Sequence, residues 1–383
     1  MRFRPLGPGV MAMPNQHALL SPSSSERWLH CPRSARLCEG MADTTSSYAS
    51  EGTEAHALCE HLLLQALGRN TTDPRPQFKQ YSNEMQEAAE GYVQYVMEQV
   101  SDFRAQGIEP AVYVEQRLDL RTFIPDSTGT SDAIVVGGDT VIVIDFKFGN
   151  LPVPATSPQL RIYSLGVCEL LSCLYDFTRV KTVIYQPRLG TVDEAEITKD
   201  ELYAWANEVL APTAQLAYEG KGEFECGDWC RFCRARNQCR TLAEHQMSLA
   251  QYDFKLPPLL TDDEIASILT QVDALVSWAS GIKDYALQAA LAGTRFPGWK
   301  VVEGRANRRY VNDQAVAEKV IADGKNPYEQ KLLGITAMEK LLGKKHFAEL
   351  LAGLVERPQG KPVLVTEDDK RPEINTAQND FKE

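Results

Sequence analysis

Gly129-Thr130-Ser131-Asp132-Ala133-Ile134-Val135-Val136-Gly137-Gly138-Asp139-Thr140-Val141-Ile142-Val143-Ile144-Asp145-Phe146-Lys147-Phe148 is the stretch on which the reading of this chain turns. Glycines supply the positive φ that a tight turn needs, so Gly137-Gly138-Asp139 reads as a three-residue hairpin turn between strands 129–136 and 140–148. Four apolar residues precede Asp145, which marks a buried central strand. Asp132 and Asp145 each stand six or seven residues from the turn and so come together at the open end of the hairpin. Two carboxylates on adjacent strands make a hard, oxygen-rich site suited to Mg2+ or Mn2+. Lys147 follows Asp145 by two residues and shares its face of the strand. Its ammonium can help to position a water and offset the charge of a bound phosphate. A structural ion pair at a strand end is the plainer alternative, because charges that close an apolar strand need a partner or a role.

Outward from the hairpin, residues 111–120 alternate as a further strand, and helical periodicity covers 53–67 and 83–105 upstream. Downstream come a proline-punctuated loop over 151–158, a helix over 158–174, a strand over 180–186 and a helix over 199–218. The expected class is α/β, a mixed β-sheet flanked by helices in the order α-β-β-β-α-β-α. Residues 1–20 read as a flexible N-terminus and 21–245 as the main domain, with a helix from about Glu26. A linker near 255–260 leads to a mainly helical C-terminal region, 261–383. There, helices are expected over 261–292, 314–323 and 335–354, a short hairpin over 298–311 and a polar tail from about 367. The chain has no internal repeats.

With 43% apolar and 24% charged residues, the 383-residue chain has the composition of a soluble globular protein. It has no continuous run of about 18 apolar residues, so no membrane span is expected. Its first residues lack the apolar core of a signal peptide, which places it in the cytoplasm. Taken alone, the net charge of −12 argues against nucleic acid as a partner. It leaves room for a basic groove, since Arg231, Arg234, Arg236 and Arg240 lie together without an acid between them, and Lys300, Arg305, Arg308 and Arg309 form a second basic stretch.

Nine cysteines in a cytoplasmic chain are metal ligands or small buried side chains sooner than disulfides. Cys226, Cys230, Cys233 and Cys239 crowd into 14 residues, whereas Cys38, Cys59, Cys168 and Cys173 are scattered on helical stretches and read as packing residues. Cys230-x2-Cys233-x5-Cys239 offers three thiolates, soft ligands that select zinc or an iron–sulfur cluster. Spacing does not separate the two metals, and local spacing alone selects Cys226 as the fourth ligand.

An Asp on one strand, Asp-x-Lys on the next and a following helix resemble the PD-(D/E)xK nuclease superfamily, whose restriction-endonuclease-like core has the order αβββαβ. Gly52-Thr53-Glu54-Ala55-His56 looks like the Gly-x-x-x-His helix start of its RecB-like branch, and Gln159-Leu160-Arg161-Ile162-Tyr163 like that branch's Gln-x-x-x-Tyr helix. The cysteines look like its iron–sulfur variant, found in helicase-nuclease subunits and CRISPR-associated exonucleases. Over roughly residues 16–383 the chain also resembles a family of phage and prophage proteins of unassigned activity. It does so through Ser25-Glu26-Arg27-Trp28-Leu29-His30-Cys31-Pro32 and Gly298-Trp299-Lys300-Val301-Val302-Glu303-Gly304-Arg305.

The resemblance implies that His56, Asp132, Asp145 and the Phe146 carbonyl bind the metal and that Lys147 assists the nucleophile. Gln159 and Tyr163 would support Lys147 or its strand. It implies a [4Fe-4S] cluster on Cys31, Cys230, Cys233 and Cys239, with zinc as the alternative. Read without it, His56 is a helix-surface histidine, Gln159 and Tyr163 are packing residues one turn apart, and Glu115 is a weaker site candidate. Asp126, in Pro125-Asp126, competes with Asp132 as the first acid, but Gly-Thr-Ser-Asp132 fits the RecB-like pattern better. The implied function is metal-dependent DNA hydrolysis, as an exonuclease, in phage DNA replication or recombination. Its partners would be single-stranded DNA or duplex ends and other replication or recombination proteins. A non-catalytic DNA-binding or scaffolding subunit and a zinc-binding adaptor are the rival classes. No Gly-x-x-x-x-Gly-Lys-[Ser/Thr] loop is present for a helicase motor.

Overall fold

The computed structural model describes residues 18–41, 47–248, 260–303, 311–328 and 332–355. It divides into two units, Met1–Val301 and Val302–Glu383. The first unit is built on a five-stranded sheet in the order β1 (Ala111–Asp119), β2 (Thr128–Gly137), β3 (Thr140–Phe146), β4 (Arg179–Gln186) and β5 (Thr191–Thr198). All neighbours are antiparallel except β3 and β4. A parallel pair needs a crossover, and α5 (Pro158–Leu171) supplies it. The class is therefore the expected one, a mixed α/β sheet flanked by helices.

The central hairpin closes one residue tighter than its sequence suggests. Gly137 pairs with Thr140, leaving Gly138 and Asp139 as a two-residue turn, and Gly138 takes φ +56°, the left-handed conformation such turns require. Consecutive residues of β2 and β3 point to opposite layers, and both layers are apolar, which is why these strands lack polar alternation. Ala133, Val135, Ile142, Ile144 and Phe146 pack with Leu58, Leu63, Met85, Tyr92 and Val96 of α3 (Ser47–Ala66) and α4 (Asn83–Ala105). Ile134, Val136, Val141 and Val143 pack in the other layer with α5 and with Trp28 of α1 (Ser25–His30). Each buried Val, Leu, Ile, Phe or Met among them contributes about 1.5–3 kcal/mol relative to exposure.

Other expectations change as well. The strand β5 follows β4 through a turn closed by Gly190 at φ +64°. Its sequence, Thr-Val-Asp-Glu-Ala-Glu-Ile-Thr, is mostly exposed, as acidic edge strands are. The helix expected over 199–218 consists of α6 (Lys199–Trp205), a π turn (Ala206–Leu210) and α7 (Ala211–Glu219). The π turn stands just before Pro212, whose missing amide breaks the regular ladder. The helix α3 starts at Ser47, so Gly52 lies inside it rather than at its start. A Cβ there would meet nothing within 4 Å, so packing does not account for the glycine. At the N-terminus, residues 1–17 lie outside the described residues, whereas Leu20 is fully buried in the core.

Next come α2 (Ser34–Leu37), α8 (Arg240–Met247) and α9 (Asp262–Leu291). The helix α9 belongs to the first unit and packs on the cysteine segment: a Cβ on Gly281 would stand 2.5 Å from Asn237 Oδ1, and Arg236 bonds Ser277 at 3.1 Å. By length and composition alone, α9 suffices to cross a membrane. It nevertheless carries Asp273, Lys283 and Asp284 and opens on a capping box at Thr261 and Glu264. The second unit contains α10 (Asp313–Ala322), α11 (Ile335–Leu342) and α12 (Lys344–Leu350). Residues 298–303 form no strand, and the rest of the expected hairpin over 304–310 lies outside the described residues, as do 255–259 and the tail from 367.

Candidate functional site

The sheet register brings the acidic pair together. Ala133 pairs with Ile144, so Asp132 and Asp145 follow next on the two strands. Asp132 Oδ2 accepts the Phe146 amide at 2.8 Å, which fixes the carboxylate against the end of β3. From α3, His56 Nδ1 reaches the same oxygen at 3.3 Å, and its ring stands edge-on to Phe146 with centroids 5.4 Å apart. Lys147 Nζ lies 2.9 Å from Asp145 Oδ2. That oxygen is buried, and the ammonium is the charged partner it faces. The expectation for His56, Asp132, Asp145 and Lys147 is thus one cluster, while for the Phe146 carbonyl only the adjoining amide has a fixed partner.

Burial pushes Asp145 above the usual carboxylate range, and Lys147 only partly counters it. Burial acts the same way on Asp132, but His56 and the Phe146 amide outweigh it and hold Asp132 low. For His56, burial favours the neutral ring, yet Asp132 and Asp145 raise its pKa. Lys147 is likewise raised, since Asp145 and Asp132 overcome its burial. Burial thus opposes every charge in the cluster, and the cationic forms of His56 and Lys147 offset the two carboxylates.

Glu115 is the residue that sequence reasoning left aside. Its carboxylate, that of Asp132 and the His56 imidazole place ligand atoms within 4.8 Å of one another, a group able to hold a metal ion. Glu115 sits at φ +47° in β1, a left-handed conformation that a side-chain-bearing residue rarely takes. Burial and then Asp132 push its carboxyl up to about 7. On α5, Gln159 donates to Tyr163 Oη at 3.2 Å. Tyr163 packs so closely on Gly129 that a Cβ there would stand 2.8 Å from the ring. Burial and Asp145 push the Tyr163 phenol up to about 12. Asp126, the rejected first acid, instead accepts a hydrogen bond from Tyr218.

A second cluster lies where the N-terminal helices meet residues 224–242. Cys31, Cys230, Cys233 and Cys239 line one small cavity with Arg27, Trp229 and Arg236. Trp229 stacks on His30, with centroids 4.0 Å apart and planes 5° from parallel. Cys226 does not line the cavity. It nevertheless lies beside the cluster: burial, then Cys230, Cys239 and Cys31, push its thiol up to about 12. Cys59 and Cys168 are buried as packing residues, but Cys38 is not merely one: its sulfur lies 3.6 Å from Cys233 Sγ. The Cys233 hydrogen bond, aided by the Ala235 amide and Arg27 against burial, brings the Cys38 thiol down to about 5. A cysteine inside a helical stretch with no spacing relation to 230–239 gave no sign of this.

Among solved structures, the chain is similar to one titled "Crystal structure of SSO0001", at 16% identity, with 50% of this chain and 98% of that one covered. The TM-score is 0.21, too slight a likeness to bear on fold or function. A family model described as "Protein of unknown function (DUF2800)" matches residues 17–372, and the chain belongs to that family.

Proposed function

We propose that this protein is a metal-dependent deoxyribonuclease of RecB-like type, acting from DNA ends. The observation that carries the proposal is the convergence of Asp132, Asp145, His56 and Lys147 at the open end of one hairpin. The donor set suits Mg2+ or Mn2+: the carboxylates of Glu115 and Asp132 and the His56 imidazole lie within 4.8 Å of one another, with the buried Asp145 carboxylate beside them. His56, Asp132, Asp145 and Glu115 would hold the metal, which when bound supplies an activated water and stabilises the leaving oxygen. Lys147 orients that water and balances charge on the attacked phosphate. Tyr163, held by Gln159, would support Asp145 and Lys147. The phosphodiester P–O bond breaks, the water oxygen joins phosphorus and the leaving sugar oxygen takes up a proton.

The four thiols Cys31, Cys230, Cys233 and Cys239 would hold a [4Fe-4S] cluster, tying the N-terminal helices to the segment after α7. Soft thiolates facing one cavity suit iron–sulfur or zinc, and metal analysis of anaerobically purified protein decides between them. The activity is tested with end-labelled single- and double-stranded DNA and Mg2+ or Mn2+. Digestion that requires the metal and proceeds from labelled ends is expected. DNA binding without cleavage under every metal condition makes the chain a non-catalytic subunit instead.

A further inference from the structure

We infer that Arg188 is a positioning residue for the metal centre, an inference that rests on the reading above: one guanidinium sets the helix bearing His56 against the strand end bearing Asp145 and Lys147. Arg188 lies in the turn Pro187–Leu189 between β4 and β5, away from every sequence motif. Its Nη2 and Nη1 grip the Glu51 carboxylate at 2.6 and 3.0 Å. Its Nη1 also donates to the Phe148 carbonyl at 3.1 Å, and its Nε donates to Glu84 at 2.9 Å. The guanidinium lies 3.8 Å over the Phe148 ring.

Two routes lead from this clasp to the site. Glu51 precedes His56 on α3 by five residues, about 7.5 Å along the helix axis. Holding Glu51 therefore anchors α3 within about a turn and a half of His56. Phe148 directly follows Lys147; its ring stacks on Phe146 at 6.0 Å, and Phe146 carries the edge of His56 at 5.4 Å. Only a planar fork can grip a carboxylate, donate to a carbonyl and cover a ring at once. The arms differ in weight. The Arg188 and Glu51 side chains are 14% and 18% exposed, so their pair is largely removed from water. Glu84 is 61% exposed, and exposed pairs contribute little.

The test titrates Mn2+ alone into the full chain by calorimetry, with thermal melting as a fold control, for wild type, Arg188→Met, Arg188→Lys, Glu51→Gln, Glu84→Gln and Asp132→Ala. Arg188→Met and Glu51→Gln should weaken Mn2+ binding about 10- to 100-fold, as loss of a partner behind a metal ligand does. Arg188→Lys should not restore it, lacking the fork, and Glu84→Gln should bind as wild type does. A purely structural ion pair would lower the melting temperature in Arg188→Met and Glu51→Gln and leave Mn2+ affinity unchanged. Glu51→Gln reads the same contact if Arg188→Met does not fold. Wild-type affinity in Glu51→Gln, with binding lost in Asp132→Ala, overturns the role of Arg188 and leaves the metal centre standing. No Mn2+ binding by the wild type overturns both.

Discussion

The carboxylate site and the cysteine site are built by different means. In the first, β-sheet register does most of the placing: Asp132 and Asp145 face each other because Ala133 pairs with Ile144. Only His56 comes from a distant helix. In the second, no ladder sets the geometry. Cys31 and Cys38 come from one end of the unit and Cys226, Cys230, Cys233 and Cys239 from the other, brought together by short helices and turns. The carboxylate site is strained and charge-crowded, with Glu115 at φ +47° and Asp145 raised by burial. At the cysteine site the Cys233 hydrogen bond, with the Ala235 amide and Arg27, draws down Cys38, while burial holds Cys226 and Cys230 up. On the proposed reading the first site does chemistry and the second ties distant segments together. The two should therefore fail in different ways.

The sharpest contrast is kinetic. Lys147→Ala should lower the cleavage rate on the order of 10²- to 10³-fold, as loss of a transition-state contact does, while leaving DNA binding and the thiol-bound metal intact. Single-turnover cleavage and a binding isotherm measure this; equal losses in both would reduce Lys147 to a phosphate contact.

The clamp should answer in stability. Closing a loop of roughly 200 residues is worth about 5 kcal/mol by chain entropy, so Cys31→Ala should bleach the visible absorbance and lower the melting temperature as fully as Cys233→Ala. Cys226→Ala should keep its colour, because the proposed ligand set draws its fourth thiolate from Cys31. Cys38→Ala should keep colour too, having lost a contact to Cys233 and not a ligand. Colour lost in Cys226→Ala and kept in Cys31→Ala would make the site a local finger and remove the clamp. One equivalent of zinc in a colourless protein would settle the metal as zinc.

The smallest effect is one of pH. Glu115 is held at about 7 in the metal-free protein, so below that pH it is protonated and a metal must displace the proton. Apparent Mn2+ affinity should fall about tenfold per unit as pH drops below 7 from this group alone, and level off above it. His56, also raised, acts in the same direction, because its proton competes as well. Glu115→Gln should bind more weakly at pH 8 and lose its share of the slope; an unchanged slope would remove Glu115 from the ligand set.

These outcomes also bear on how much the sequence could convey. Strand period and glycine placement made the hairpin legible, and with it Asp132, Asp145 and Lys147. His56 was legible only through resemblance, because nothing in a helix periodicity marks which polar residue faces a sheet end. Glu115 was hidden because its role depends on a left-handed residue within β1, which no alternation pattern signals. The strand β5 was hidden by its acidic, exposed character, and with it the turn that carries Arg188. Cys38 was hidden because tertiary packing, not spacing, sets it on Cys233.

The central claim is that the two hairpin carboxylates perform hydrolysis. The direct measurement is digestion of end-labelled DNA with Mn2+ by wild type and by the Asp132→Ala/Asp145→Ala double variant, each matched for melting temperature and thiol-bound metal. The account predicts metal-dependent digestion by the wild type and none above background by the variant, with the cysteine site unaffected. Digestion by the double variant at the wild-type rate would contradict it.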